Sequence, residues 1–148
     1  MAHVEAVCTS WRTGVVKKEQ AEVTLGAQWG VENDAHAGAW HRQVSLLAGE
    51  SIDRVKALLP ALSHGAFAEN VITRGLGTAE LKPGDQLQLG EQVLLEITQV
   101  GKECHNAGCP IRKATGDCIM PREGLFARVV RGGVTRAGDP IVVTVTTP

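Results

Sequence analysis

The chain has 148 residues, 43% hydrophobic and 21% charged, with a formal net charge of −1. That apolar content predicts one core-forming domain over 1–148, and the near-neutral balance excludes a general nucleic-acid binder. No basic-then-apolar leader opens the chain and no apolar run is long enough to span a membrane, so a cytoplasmic protein without a membrane partner is expected.

His3 to Cys8 and Ala21 to Leu25 are valine-rich, roughly alternating runs that predict an opening pair of strands. The turn-like Arg12-Thr13-Gly14 and the charged Lys17-Lys18-Glu19 separate them. A polar stretch follows, Gly30 to Gln43, carrying Glu32, Asp34, His36, His41 and Arg42 in a segment that also holds Gly30 and Gly38. Two histidines, two carboxylates and an arginine in one loop can bind a metal or an anion; the plainer alternative is a solvated loop whose Asp34 caps a turn. Val44 to Leu47 is a brief apolar run. Glu50 to Leu59 then places Ile52, Val55, Leu58 and Leu59 at helical spacing before Pro60 ends the helix. Leu87 to Leu89 and Val93 to Val100 predict a hairpin across Gly90-Glu91-Gln92, and Ile141 to Thr146 a closing strand. Short strands punctuated by 17 glycines predict a mostly β fold. A closed or partly open barrel with one or two short helices would satisfy the strand edges.

Between the hairpin and the closing strand lies Val100 to Gly133, with Cys104, Cys109 and Cys118 interleaved with Lys102, His105, Arg112 and Lys113. Thiolate rather than thiol is the nucleophile and metal ligand, and cations favour it. Cys104, after Gly101 and between Lys102 and His105, is therefore the first candidate for a reactive cysteine. Cys104, Cys109 and Cys118 together are also candidate ligands for zinc or iron, although they lack CxxC pairs. Cys8, inside an apolar run, is expected to be a small packed hydrophobe.

GVENDAHAGAWHRQVSLL from Gly30, FAENVITRGL from Phe67, LKPGDQLQLG from Leu81, LLEITQVGKEC from Leu94 and GLFARVVRGGVTRAGD from Gly124 together resemble the MOSC domain, found at the C-terminus of molybdenum cofactor sulfurases. The resemblance spans nearly the whole chain in order, and the family cysteine falls on Cys104. It implies a β-rich, barrel-like fold. It also implies a role with molybdenum cofactor (molybdopterin) or sulfur, in which the cysteine carries a persulfide or lies near the metal. Pyridoxal phosphate binding is a further family-level association. Some relatives act in reduction of N-hydroxylated compounds, so the chain is expected to be a sulfur transferase or a component of a molybdenum-dependent reductase. A cysteine desulfurase or a molybdoenzyme is the expected partner. Two departures stand out: Asn33-Asp34 replaces the common Gly-Asp, and Ala68-Glu69-Asn70 replaces the common Gly-Glu-Asn. Asn tolerates a left-handed turn, whereas the alanine predicts a loop without positive φ or one built differently.

A cofactor with a phosphate and a pterin needs cations, polar ring-edge partners and one soft thiolate. Cys104 would supply the thiolate, as the resemblance implies, and Arg42 with Arg112 or Lys113 the anion contacts, since a guanidinium can donate two hydrogen bonds to a phosphate. Asp34, His36, His41, Glu69 and Asn70 are the candidates for further polar contacts. The alternative from another class is a non-catalytic escort module in which Cys104, Cys109 and Cys118 hold zinc or iron.

Overall fold

A computed structural model describes residues 2–12, 16–77, 81–101 and 124–144. The main sheet has eight strands in the order β11-β7-β8-β9-β5-β6-β1-β2. Their ranges are β1 His3–Thr9, β2 Lys18–Gln20, β5 Val44–Ala48, β6 Val71–Arg74, β7 Gln86–Leu89, β8 Val93–Val100, β9 Leu125–Arg131 and β11 Ile141–Thr144. A smaller sheet, β10-β3-β4, holds Gly133–Arg136, Glu22–Gly26 and Gly30–Val31. Among the described residues all strand pairings are antiparallel except β5 with β6.

The two ends of the large sheet curl toward each other. Val4 N–H donates to Asp139 O at 2.8 Å, Gly138 N–H to Val4 O at 2.8 Å and Ile141 N–H to Ala2 O at 3.0 Å. The seam carries these bonds and one bridge, His3 with Pro140, rather than a strand ladder. The fold is therefore mostly β and barrel-like but partly open, in keeping with the expectation.

The predicted opening strands do form, but not as a pair. β1 takes β2 and β6 as neighbours, while β3 joins β4 and β10 in the other sheet. The segment read as a charged separator supplies β2, and Lys17 just before it is buried. The hairpin of β7 and β8 pairs Leu89 with Val93 as expected.

Period-two alternation gives the sheet two apolar faces. Val7, Leu46, Val71, Leu95, Ile97, Leu125 and Ala127 fill the interior. Ala6, Cys8, Leu47, Ile72 and Phe126 point to the outer face, under Ile52 of helix α1 (Gly49–Lys56) and Phe67. The helix ends three residues before Leu59; Val55 and Leu59 still pack on this layer, whereas Leu58 is 68% exposed. Gly101 closes β8 with φ +72° and donates to Gly124 O at 2.7 Å, so both ends of the chain between them leave the sheet at one point. A left-handed residue there suits glycine.

Candidate functional site

The outer face carries polar groups where β1 ends and where β5 and β6 begin. Ser45 N–H donates to Asn70 Oδ1 at 3.0 Å, Asn70 N–H donates to Ser45 Oγ at 3.1 Å, and Asn70 Nδ2 donates to Cys8 O at 3.2 Å. Asn70 thus ties three neighbouring strands together through one buried amide. Buried polar groups without such partners would cost about 1–3 kcal/mol each.

Glu69, beside it, is fully buried. Its Oε1 accepts the Phe67 N–H at 3.0 Å, while Oε2 has no hydrogen-bond partner. Burial pushes its carboxyl up to about 7, against the backbone hydrogen bonds that lower it. The same burial, with the Glu69 charge adding to it, pushes the Cys8 thiol up to about 12, so Cys8 is an inert thiol. The preceding residue, Ala68, sits at φ +62°. That corrects the expectation of a loop without positive φ: the left-handed turn is kept with alanine in it. Ser45 Oγ donating to Ala68 O at 3.1 Å and Ala68 N–H donating to Gly65 O at 2.9 Å hold it there.

Lys17 and Asp34 form an ion pair at 2.8 Å whose side chains are wholly buried. Asp34 Oδ1 also accepts the Ser10 N–H at 3.0 Å, and Oδ2 accepts the His36 N–H at 3.1 Å, an Asx turn. Burial would raise the Asp34 carboxyl, but the Lys17 ammonium and the Ser10 N–H outweigh it and hold it below the usual range. Asn33, at φ +63°, makes the left-handed turn that its residue type tolerates.

Beyond this turn the loop runs over the outer face. Trp40 Nε1–H donates to His36 O at 2.8 Å. The Arg42 guanidinium lies 4.8 Å from the Trp40 ring centroid and 5.6 Å from that of Phe126, and its buried Nε has no partner. His41 Nε2 lies 2.8 Å from Gln99 Oε1, Thr98 Oγ donates to His41 O, and Gln99 Nε2 donates to Gly101 O at 2.7 Å. A chain of hydrogen bonds therefore joins the polar loop to the root of the segment that carries Cys104.

The family profile of the MOSC domain matches residues 33–142, most of the chain. The chain belongs to the MOSC domain family. No curated protein matches it. Among solved structures, the YUAD protein of Bacillus subtilis is 18% identical, with 97% of this chain and 96% of that one covered and a TM-score of 0.78. YiiM from Geobacillus stearothermophilus is 18% identical over 97% of this chain and 75% of that one, TM-score 0.70. YiiM from Escherichia coli is 19% identical over 99% and 71%, TM-score 0.65. These likenesses establish the fold of this MOSC domain.

Of the residues singled out in the sequence, the structure gathers two limbs on one face. Asp34, His36, His41 and Arg42 form one, Glu69 and Asn70 the other, and Asp34 is linked to Ser10 at the end of β1 while Asn70 is linked to Cys8 on that strand. Cys104, Cys109, Cys118, Lys102, His105, Arg112 and Lys113 lie outside the described residues. Among the described residues no group of three His, Cys, Asp or Glu side chains is placed to hold a metal. Three residues that matter here escaped the sequence: Lys17, Ser45 and Gln99. Their local composition carries no signal, because what distinguishes them is the partner the fold brings.

The groups present suit the ligand the family implies. A cation stacked on two rings with an unused buried N–H fits an anionic or flat conjugated group, and Glu69 Oε2 is an unused buried acceptor.

Proposed function

We propose that this MOSC domain binds molybdenum cofactor, or a precursor of it, along the outer face beside Phe126, with Cys104 as the sulfur carrier. The observation that carries the reading is the hydrogen-bond chain His41–Gln99–Gly101, which sets the polar loop at the base of the segment leading to Cys104. Arg42 would hold the anionic part, with Arg112 or Lys113 as further cations. His36 and His41 would border the ring system and Glu69 would offer its unused Oε2, while Asp34 holds the loop through Lys17 and the His36 N–H and Asn70 fixes the strands beneath. When bound, the cofactor supplies the metal and its dithiolene sulfurs.

Cys104 acts as a thiolate favoured by Lys102 and His105. It attacks the outer sulfur of a cysteine desulfurase persulfide; the S–S bond of the donor breaks, the donor cysteine leaves as thiolate, and Cys104 carries the transferred sulfur. One nucleophilic cysteine suffices for this. Cys104→Ser should abolish a one-sulfur mass gain that reductant reverses, whereas Cys109→Ser and Cys118→Ser keep it. If all three substitutions behave alike and each sheds bound zinc or iron, the carrier reading is wrong and the protein is a metal-binding escort module.

A further inference from the structure

Lys17 lies outside the span matched by the family profile, yet it touches both limbs of the site. Its ammonium is wholly buried, 2.8 Å from Asp34 Oδ1 and 3.1 Å from Ser10 Oγ. Its backbone is stitched to the other limb: Lys17 N–H donates to Gly65 O at 2.9 Å, and a Cβ at Gly65 would come within 2.0 Å of Lys17 O. Gly65, at φ +90°, is thus the residue that lets the loop before Glu69 lie against the Lys17 backbone.

A buried ion pair is weak evidence for stability, because desolvating both charges offsets most of their attraction. What this pair does supply is a fixed position. Asp34 spends its second oxygen on the His36 N–H and so sets the start of the run that ends in Trp40, His41 and Arg42. We propose that Lys17 is the positioning residue of this site: it locks the loop bearing His36, His41 and Arg42 to the loop bearing Glu69 and Asn70, so that the two limbs present their groups together. The inference deepens the cofactor-binding reading and rests on it for the identity of the ligand, but not for the geometry.

Trp40 reports on the lock directly, since Nε1 bonds to His36 O and its ring meets Arg42. Replacing Trp11 and Trp29, both exposed, by Phe leaves Trp40 as sole emitter. Acrylamide quenching in that background should rise at least twofold in Lys17→Met, at a temperature where the variant is folded. Asp34→Asn combined with Lys17→Met removes both charges, and its Tm should recover most of the loss seen in Lys17→Met. A merely structural Lys17 would then regain normal quenching; a positioning Lys17 would not. Should Lys17→Met not fold, the double variant against its parent carries the same comparison. Binding of cofactor released from a molybdoenzyme should fall about tenfold or more in the double variant. Unchanged Trp40 quenching in the double variant overturns the proposal. Raised quenching in a protein whose parent binds no cofactor supports the lock and overturns the ligand assignment.

Discussion

Glu69→Gln isolates the buried carboxyl and should change the pH dependence of stability in a calculable way. The ordinary glutamate value of 4.5 rises to about 7 in the folded state because burial disfavours the charge. Below the ordinary value both folded and unfolded states carry the proton and nothing is lost. Between 4.5 and about 7 the folded state binds more protons than the unfolded, so stability falls as pH rises. Above about 7 the whole difference is lost; a gap of that size, at about 1.4 kcal/mol per unit, amounts to about 3 kcal/mol. Gln is neutral at every pH and keeps the oxygen that accepts Phe67 N–H. The variant should therefore lead the parent only slightly near pH 5, by about 1 kcal/mol or less, and exceed it near pH 8 by about 3 kcal/mol, which for a domain of this size is roughly 6–12 °C in Tm. Calorimetry of both proteins from pH 5 to 8.5 reads this. His64 also titrates in this range, because burial lowers its value while its hydrogen bonds to the Glu19 and Glu5 carboxylates outweigh that and raise it. That raised histidine also loses its stabilising contribution as pH climbs; most of this is common to the two proteins, and what remains in their difference is its Coulomb attraction to the Glu69 carboxylate. A difference in Tm that is flat with pH, or a parent more stable than the variant at pH 8, refutes the reasoning.

Three other outcomes follow from the same face. Ala68→Gly relieves a left-handed alanine costing about 1–2 kcal/mol and adds unfolded-state freedom of about 0.4–1, so denaturant midpoints should show a net gain of roughly 0.5–1 kcal/mol. Asn70→Ala strands the Ser45 N–H and the Cys8 carbonyl in the interior and should cost about 2–4 kcal/mol by the same measurement. Brief iodoacetamide treatment at neutral pH with peptide mapping should label Cys104 well before Cys8, whose thiol is buried and pushed up to about 12; equal labelling would remove the case for a reactive Cys104.

What could be read from the chain depended on whether the signal was local. The hairpin of β7 and β8 was legible because its alternation and its glycine turn are properties of contiguous residues: Gly90 sits at φ +65° with the Asp139 carboxylate where a side chain would lie. The β5 run and the start of the helix were legible for the same reason. β6 and β9 were not: Val71–Arg74 and Leu125–Arg131 are short apolar runs in segments that carried the family resemblance, and nothing local in them marks both as neighbours of β5. Nor does anything in Val-Val-Lys-Lys-Glu mark the first lysine as buried and the second as exposed, since that choice is made by Asp34, seventeen residues on. Ala68 misled because propensity speaks for the isolated residue. Here a serine hydroxyl on β5 and the Gly65 carbonyl hold it against that preference.

These departures from local preference gather in one place. A wholly buried lysine, a buried acid with an unused oxygen, an arginine with an unused Nε and a left-handed alanine all lie around the β1, β5 and β6 ends. The polar network elsewhere behaves differently: Arg74, Glu5, Asp53, His64 and Glu19 are half-exposed, satisfy one another, and in that setting contribute little each. Stability alone would not select the first arrangement, because its buried acid and its left-handed alanine each cost free energy that a substitution can recover. The opposite signs give the test of whether the cost serves binding. Glu69→Gln and Ala68→Gly should each raise Tm at pH 8 and, if the strained face exists to receive the cofactor, each should weaken its binding. A variant that gains stability and binds cofactor as tightly as the parent would show that these features are tolerated rather than used.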